Sequence, residues 1–317
     1  MMRRFGKTMP AIRALLVGSL FAAMAMPLPG WTFGLFSKPS AKAPTSSKLN
    51  TARAAELAAM IREALDEQRY VDAGTLIDQA SINGVKSAEL TTLTGELYLA
   101  RGRFDDALGL FRQSASDPTQ KAATLQGQGI ALSMLGRSDE ALAALKSATD
   151  LDKTLWRAWN GLGREYDLRR DWGDALLAFN AALAAPGAKT AVVLNNRGYS
   201  LLLQNKINEA SADFIAALAK DPGLAAARTN LRIALAWQGA YARAAVTGAG
   251  DDRAAVLNNV GLAAALRGDY VQAEKYLNEA MSAKGQYYDR ASENLQLARG
   301  LAERKQNLPP NVASVGH

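Results

Sequence analysis

Glycine followed by an apolar helical stretch recurs through the chain at Gly95, Gly129 and Gly163, spaced 34 and 34 residues apart, then at Gly198 after a further 35 and at Gly261 after 63 more. Spacing of this kind marks a chain assembled from copies of one small supersecondary unit, and it constrains the fold more tightly than any other property of the sequence. With the glycine set at position 8 of each unit, one copy reads Trp159, Leu162, Gly163, Tyr166, Ala175, Phe179 and Ala182, with Pro186 near its end. The copy at Gly95 keeps Tyr98, Ala107, Phe111 and Pro118, and that at Gly198 keeps Ala210, Phe214, Ala217 and Pro222. Gly129 is followed in phase by Ala141, Leu145 and Ala148, and Gly261 by Ala273, Leu277 and Ala280. Two weaker copies complete the series, one with Ala73, Ile77 and Ala80, the other with Leu231, Leu235, Gly239, Tyr241 and Ala244.

Small residues at positions 8, 20 and 27 let two helices approach closely, and the aromatic or Leu at 24 fills the space between neighbouring pairs. The pattern resembles the tetratricopeptide repeat family. That resemblance implies an all-α fold, a right-handed superhelical solenoid of helix-turn-helix repeats with a C-terminal capping helix. The expected organisation is a signal peptide over 1–25, a tail over 26–50, a repeat domain over 54–305 and a C-terminal tail over 306–317. Its units are 54–87, 88–121, 122–155, 156–190, 191–224, 225–253 and 254–287. A cap over 288–305 carries Asp289, Glu293, Arg299, Glu303 and Arg304 on its outer face.

The sequence has no Cys and one His, His317, which excludes disulfide scaffolds, thiolate metal sites, Cys nucleophiles and triads with an internal His. Gly127-Gln-Gly129 and Gly161-Leu-Gly163 lack the third glycine of a dinucleotide fingerprint and lie within helices rather than after strands. Asp105-Asp106 and Asp251-Asp252 fall in turns or at helix starts, where capping is the ordinary role of a carboxylate. No enzymatic activity, cofactor or metal is expected. The net charge of +7 is confined to one end: seven of the 37 basic residues precede residue 49 and the first acid is Glu56. The remaining 30 basic residues are matched by 30 acidic ones, so counterion release offers no large drive for nucleic-acid binding.

The N-terminus has a basic segment to Arg13, an apolar run from Ala14 to Ala25 and the small-x-small site Ala23-Met24-Ala25, the three parts of a secretory signal. Cleavage after Ala25 by the general export route is expected, an uncleaved anchor being the other reading. Without Cys there is no lipobox thiol, so no lipid anchor is expected. The following stretch to residue 50 mixes Pro, Gly, Ser and Lys around Trp31, Phe33, Leu35 and Phe36 and reads as a tail, its aromatic cluster either a docking strip or idle.

The resemblance also implies that the first helices of the repeats line a concave groove at positions 2, 5, 6, 9 and 12. Asn recurs there as Asn160, Asn195, Asn196, Asn230, Asn258 and Asn259. Asn is a poor helix former, so its recurrence in mid-helix asks for a reason. An amide that both donates and accepts suits the backbone of an extended peptide, and it equally suits bonds between neighbouring helices. Arg157, Arg164 and Tyr199 share these positions, and the two Arg suit an acidic side chain or a C-terminal carboxylate. Trp156, Trp172 and Trp237 read as packing residues.

The stretches Leu194 to Gln204, Arg228 to Gly239, Leu257 to Tyr270 and Tyr288 to Leu295 resemble the TadD-like proteins of Flp (tight adherence) pilus assembly. This resemblance implies a non-catalytic scaffold of the bacterial envelope, periplasmic and joined to the outer membrane through partners, that binds segments of pilus or secretin components. A free periplasmic peptide-binding or chaperone-like protein is the alternative. The interval between Gly198 and Gly261 leaves the sixth repeat five residues short, and Thr247-Gly-Ala-Gly250 should stop its second helix after about two turns. Such a truncation would uncover an apolar notch near Phe214 and Leu277 unless the neighbouring repeats close over it.

Overall fold

The computed structural model of the chain describes residues 47–248, 250–284 and 288–306. The expected signal peptide, the tail up to residue 46 and the C-terminal tail from 307 lie outside the described residues. The described part holds fifteen helices and no strand. It falls into two compact units, 47–189 and 190–306.

In the first unit the helices pair as α1 (Ser47–Asp66) with α2 (Tyr70–Ile82), α3 (Ala88–Ala100) with α4 (Phe104–Ser114), α5 (Lys121–Met134) with α6 (Ser138–Leu151), and α7 (Trp156–Arg169) with α8 (Trp172–Ala184). The second unit pairs α9 (Thr190–Leu203) with α10 (Ile207–Lys220), α11 (Ala225–Trp237) with α12 (Tyr241–Ala244), and α13 (Arg253–Arg267) with α14 (Tyr270–Lys284). It closes with α15 (Asp289–Gln306). Each first helix packs on its own second helix and on the first helix of the next pair within its unit. The opening helix begins at Ser47 instead of after residue 50, because Pro44 is the last proline before it and nothing from Ser47 onward interrupts the helix.

Every pair turns on the same device. A residue one or two places beyond the first helix takes a positive φ: Gln68, Gly102, Gly136, Arg170, Asn205, Gly239 or Gly268. The next residue donates its N–H to a carbonyl five residues back, as from Arg103 to Tyr98, Arg137 to Leu132, Asp171 to Tyr166 and Asp269 to Ala264, each at 2.9 Å. This left-handed closure satisfies carbonyls that the helix end would orphan. Only four of the seven positions are glycine, so three side chains accept a left-handed backbone for the sake of the turn.

Packing follows the positions read in the sequence. Phe111, Leu145, Phe179, Phe214 and Leu277 are fully buried, and each lies over the glycine of its own pair. A Cβ added to Gly95, Gly129, Gly163, Gly198 or Gly261 would stand 2.5–2.8 Å from the side chain above it. Phe111 and Leu145 also press on Gly127 and Gly161 of the next pair. Burying such side chains contributes about 1.5–3 kcal/mol each, and this is the main term holding a stack whose single pairs have no closed core. The cap matches its expected pattern, with Ala291, Leu295 and Ala298 buried and Asp289, Glu293, Arg299, Glu303 and Arg304 exposed.

The sixth pair differs. Its second helix is one turn, Tyr241–Ala244, shorter than the two turns expected. Phe214 and Leu277 are nevertheless fully buried, so no apolar notch opens beside them. Where five other pairs have glycine, this one has Arg232, whose guanidinium binds the segment that follows the short second helix. Arg232 donates from Nη1 and Nη2 to Asp251 at 3.2 and 2.5 Å and from Nε to the Val246 carbonyl at 3.1 Å. Asp251 also accepts from the Gly248 N–H at 2.7 Å, and Asp252 caps α13 through the Ala255 N–H at 3.1 Å. These bonds hold the Asp251 carboxyl below the usual carboxylate range, the Arg232 hydrogen bond being the largest cause.

Candidate functional site

The polar residues three places before the repeat glycines are Thr92, Gln126, Asn160, Asn195 and Asn258. Thr92, Gln126, Asn195 and Asn258 are buried, and Asn160 is half-buried. A buried polar group must find a partner or lose about 1–3 kcal/mol, and here the partners lie on neighbouring helices. In the second unit they are amides. Asn230 donates to the Asn195 carbonyl oxygen at 3.0 Å, linking α11 to α9, and Asn294 donates to Asn258 at 2.8 Å, linking α15 to α13. Asn195 and Asn258 in turn donate to the following residue, Asn196 at 3.3 Å and Asn259 at 3.4 Å.

The six asparagines singled out in the sequence therefore divide. Asn195, Asn230 and Asn258 are buried and engaged between helices, whereas Asn160, Asn196 and Asn259 are half-buried. Tyr199 is half-buried one turn beyond Asn196 on α9. On the same helix Arg197 forms a two-bond pair with Asp213 of α10, at 2.8 and 2.7 Å, which keeps the guanidinium firmly charged.

The first unit uses other chemistry at the corresponding places. Gln126 accepts the Ala158 N–H at 3.1 Å, tying α5 to α7. Thr92, Ser114 and Thr124 form a buried hydroxyl chain at 3.1 and 3.2 Å across α3, α4 and α5. Glu165, fully buried on α7, accepts from the hydroxyls of Ser133 and Ser138. Arg157 reaches Glu96 on α3 at 2.6 Å, while Arg164 is half-buried on the same helix as Arg157. Trp156, Trp172 and Trp237 are all half-buried.

Sequence reasoning did not single out Glu96, Gln126, Glu165 or Asn294. Gln126 was readable from register, three residues before Gly129. Glu96, Glu165 and Asn294 carry no local signal, because each is defined by a partner on another helix.

The arrangement of close-packed pairs agrees with what the chain resembles. Residues 58–121 and 127–189 match the model of the tetratricopeptide repeat family. The match covers most of the first unit and less than half of the chain. Similar solved structures include a thermophilic TPR protein of Thermus thermophilus, 19% identical with a TM-score of 0.50 over 57% of this chain and 98% of that one. A second is the Cut9–Hcn1 hetero-tetramer of the APC/C, 17% identical with a TM-score of 0.55 over 80% of this chain and 56% of that one. A third, described as a functional characterisation of Pseudomonas aeruginosa pilF, is 17% identical with a TM-score of 0.52 over 67% of this chain and 96% of that one. No curated protein sequence matches the chain significantly. At these identities the likeness is one of fold, an all-α stack of helix-turn-helix pairs like that of tetratricopeptide solenoids.

Among the described residues, no three His, Cys, Asp or Glu side chains are grouped to hold a metal ion. None of the described helices is long and apolar enough to cross a membrane.

Proposed function

We propose that the chain is a non-catalytic protein-interaction scaffold that takes extended segments of partner proteins on the faces of its first helices. The observation that carries this reading is the division among the asparagines. Asn195 and Asn258 are fixed by a neighbouring helix, and Asn196 and Asn259, which accept from them, lie half-buried beside them on the same first helices. An amide oriented by a bonded neighbour loses little further freedom on binding, which favours recognition of a backbone with small regard to its side chains. Each such bond contributes on the order of 1 kcal/mol net.

The secretory pattern of residues 1–25 supports placement in the bacterial periplasm, and the stretches between 194 and 295 that resemble TadD-like proteins support a role in assembling a Flp/Tad-type pilus or its secretin. Partners are then proteins rather than nucleic acid, and contact with the outer membrane runs through them. The test is fractionation of cells with and without the secretin, comparing the native chain with an Asn196→Ala/Asn259→Ala variant. A scaffold sediments with outer-membrane complexes only when secretin is present, and the variant loses that association. A chain that stays in the soluble fraction under both conditions is a free peptide binder, and the pilus role is then discarded.

A further inference from the structure

One side of each later first helix in the first unit belongs to the pair before it. On α3 that side is Leu90 and Leu97, which join the core of the first pair. On α5 it is Thr124 and Ala131, Thr124 bonding to Ser114 of α4 and Ala131 packing in one cluster with Leu108 of α4. On α7 it is Ala158 and Glu165, with Glu165 held by Ser133 of α5 and Ser138 of α6. All six residues are buried. The same places on α1, 34 residues before Leu90 and Leu97, hold Glu56 and Glu63, and no described helix precedes them. Both are exposed, beside Ala52, Ala59 and Met60, with Arg53 at the edge of the face. Spacings of three, four and seven put these side chains in one stripe along α1. Arg62 and Glu67 of the same helix pair with Glu89 and Arg69, whereas Glu56 and Glu63 have no ion-pair partner among the described residues.

The end of a stacked solenoid needs a cap, and α15 supplies one for the second unit. The face of α1 is acidic at Glu56 and Glu63 and apolar between them, so it favours a basic segment with large apolar side chains. A second copy of the same face would set acid against acid. The chain itself carries a matching segment directly upstream: Trp31, Phe33, Leu35 and Phe36 are followed by Lys38 and Lys42, and no acid precedes Glu56. Phe36 stands eleven residues before Ser47, a span of up to about 36–40 Å, and the 20 residues of α1 measure about 30 Å, so the segment can reach the whole face.

We propose that residues 31–42 fold back on the Glu56–Glu63 face of α1 as an N-terminal cap, the aromatic side chains covering Met60, Ala52 and Ala59 while Lys38 and Lys42 meet the two acids. The segment stands where a preceding pair would, and its docking is independent of peptide binding by the asparagines.

The chain has no Cys, so a single introduced thiol reports on the face. Ala59→Cys in the full chain is labelled with a maleimide, and the rate is compared between the native tail and Trp31→Ser/Phe33→Ser/Phe36→Ser. The Ser tail is expected to label about tenfold faster, and Lys38→Glu/Lys42→Glu about threefold faster. Thr75→Cys, at an exposed position of α2, labels equally with all three tails. Ala52→Cys repeats the measurement should Ala59→Cys lose helix content. Equal rates with the native and Ser tails overturn the proposal and leave the tail idle. Protection that fades on dilution also overturns it, because the face then belongs to a second copy.

Discussion

The two units solve one problem with different chemistry. Both stack first helices closely enough that polar side chains near the repeat glycines are buried, and both must pair them. In residues 47–189 the partners are hydroxyls, a buried carboxylate, a backbone N–H and the Arg157–Glu96 ion pair. In residues 190–306 they are asparagine amides, Asn195 with Asn230 and Asn258 with Asn294, together with the Arg232–Asp251 clasp of the short sixth pair. The apolar half of the design is the same in both, a glycine beneath a Phe or Leu. The polar half is what the two units vary: hydroxyls and charges in the first, asparagine amides in the second. The family match stops at residue 189, before the first of the amide pairs.

The largest effect should show what the units share. Phe179→Ala in the first and Phe214→Ala in the second each remove a fully buried ring and should cost about 3–5 kcal/mol in denaturant unfolding. A cost in one unit several-fold below the other would break the claim of a common core. Next comes Arg232→Ala, which leaves Asp251, only 12% exposed at its side chain, with the Gly248 N–H and Arg228 at 3.9 Å as its remaining partners, and should cost about 1–3 kcal/mol. A change within error would mean that the loop from Val246 to Asp251 is held by something other than the clasp.

Gly163→Leu forces a side chain where Phe179 already stands and should cost about 1–3 kcal/mol by overpacking. Its thermal melt compared with that of Gly173→Ala, where a Cβ meets nothing within 4 Å, separates crowding from helix propensity. The smallest effect concerns pH. Asp251 is held below its ordinary range in the folded chain, so its contribution to stability is present above the unfolded carboxylate value near 3.9 and fades as pH falls below it. Acid titration of unfolding should show a shallower loss below about pH 4 in Asp251→Asn than in the native chain. Equal slopes would remove the clasp from the account.

What could be read in the sequence followed from periodicity. The 34-residue interval, with Phe or Leu sixteen residues after each glycine, located the helix pairs, their close approach and the shortened sixth repeat, because these depend on residue size at fixed spacing. The left-handed turns were only partly visible: Gly102 and Gly136 announce one and Asn205 tolerates it, whereas Gln68 and Arg170 adopt the same φ without any local signal, since packing of the two helices imposes it. The asparagine series was visible as a pattern, but its division into bonded and half-buried members depends on residues such as Asn230 and Asn294 about 35 positions downstream. Arg232 in the place of a glycine was legible as a mismatch. Its partner Asp251 was not, for their distance along the chain matches no helical spacing.

The central claim is that the half-buried amides of the second unit bind and the buried ones hold helices. Calorimetric titration of a nonapeptide, three copies of Ala-Gln-Gly, into two double variants, each checked by thermal melting, tests it most directly. Asn196→Ala/Asn259→Ala is expected to lose about thirtyfold in affinity, two bonds of on the order of 1 kcal/mol each being removed, with the smaller fall in melting temperature of the two variants, since only the long bonds from Asn195 and Asn258 at 3.3 and 3.4 Å are lost while Ala favours the helix. Asn195→Ala/Asn258→Ala is expected to melt lower, because the amides of Asn230 and Asn294 lose their acceptors. A folded Asn196→Ala/Asn259→Ala chain that binds the peptide as tightly as the native one would contradict the account.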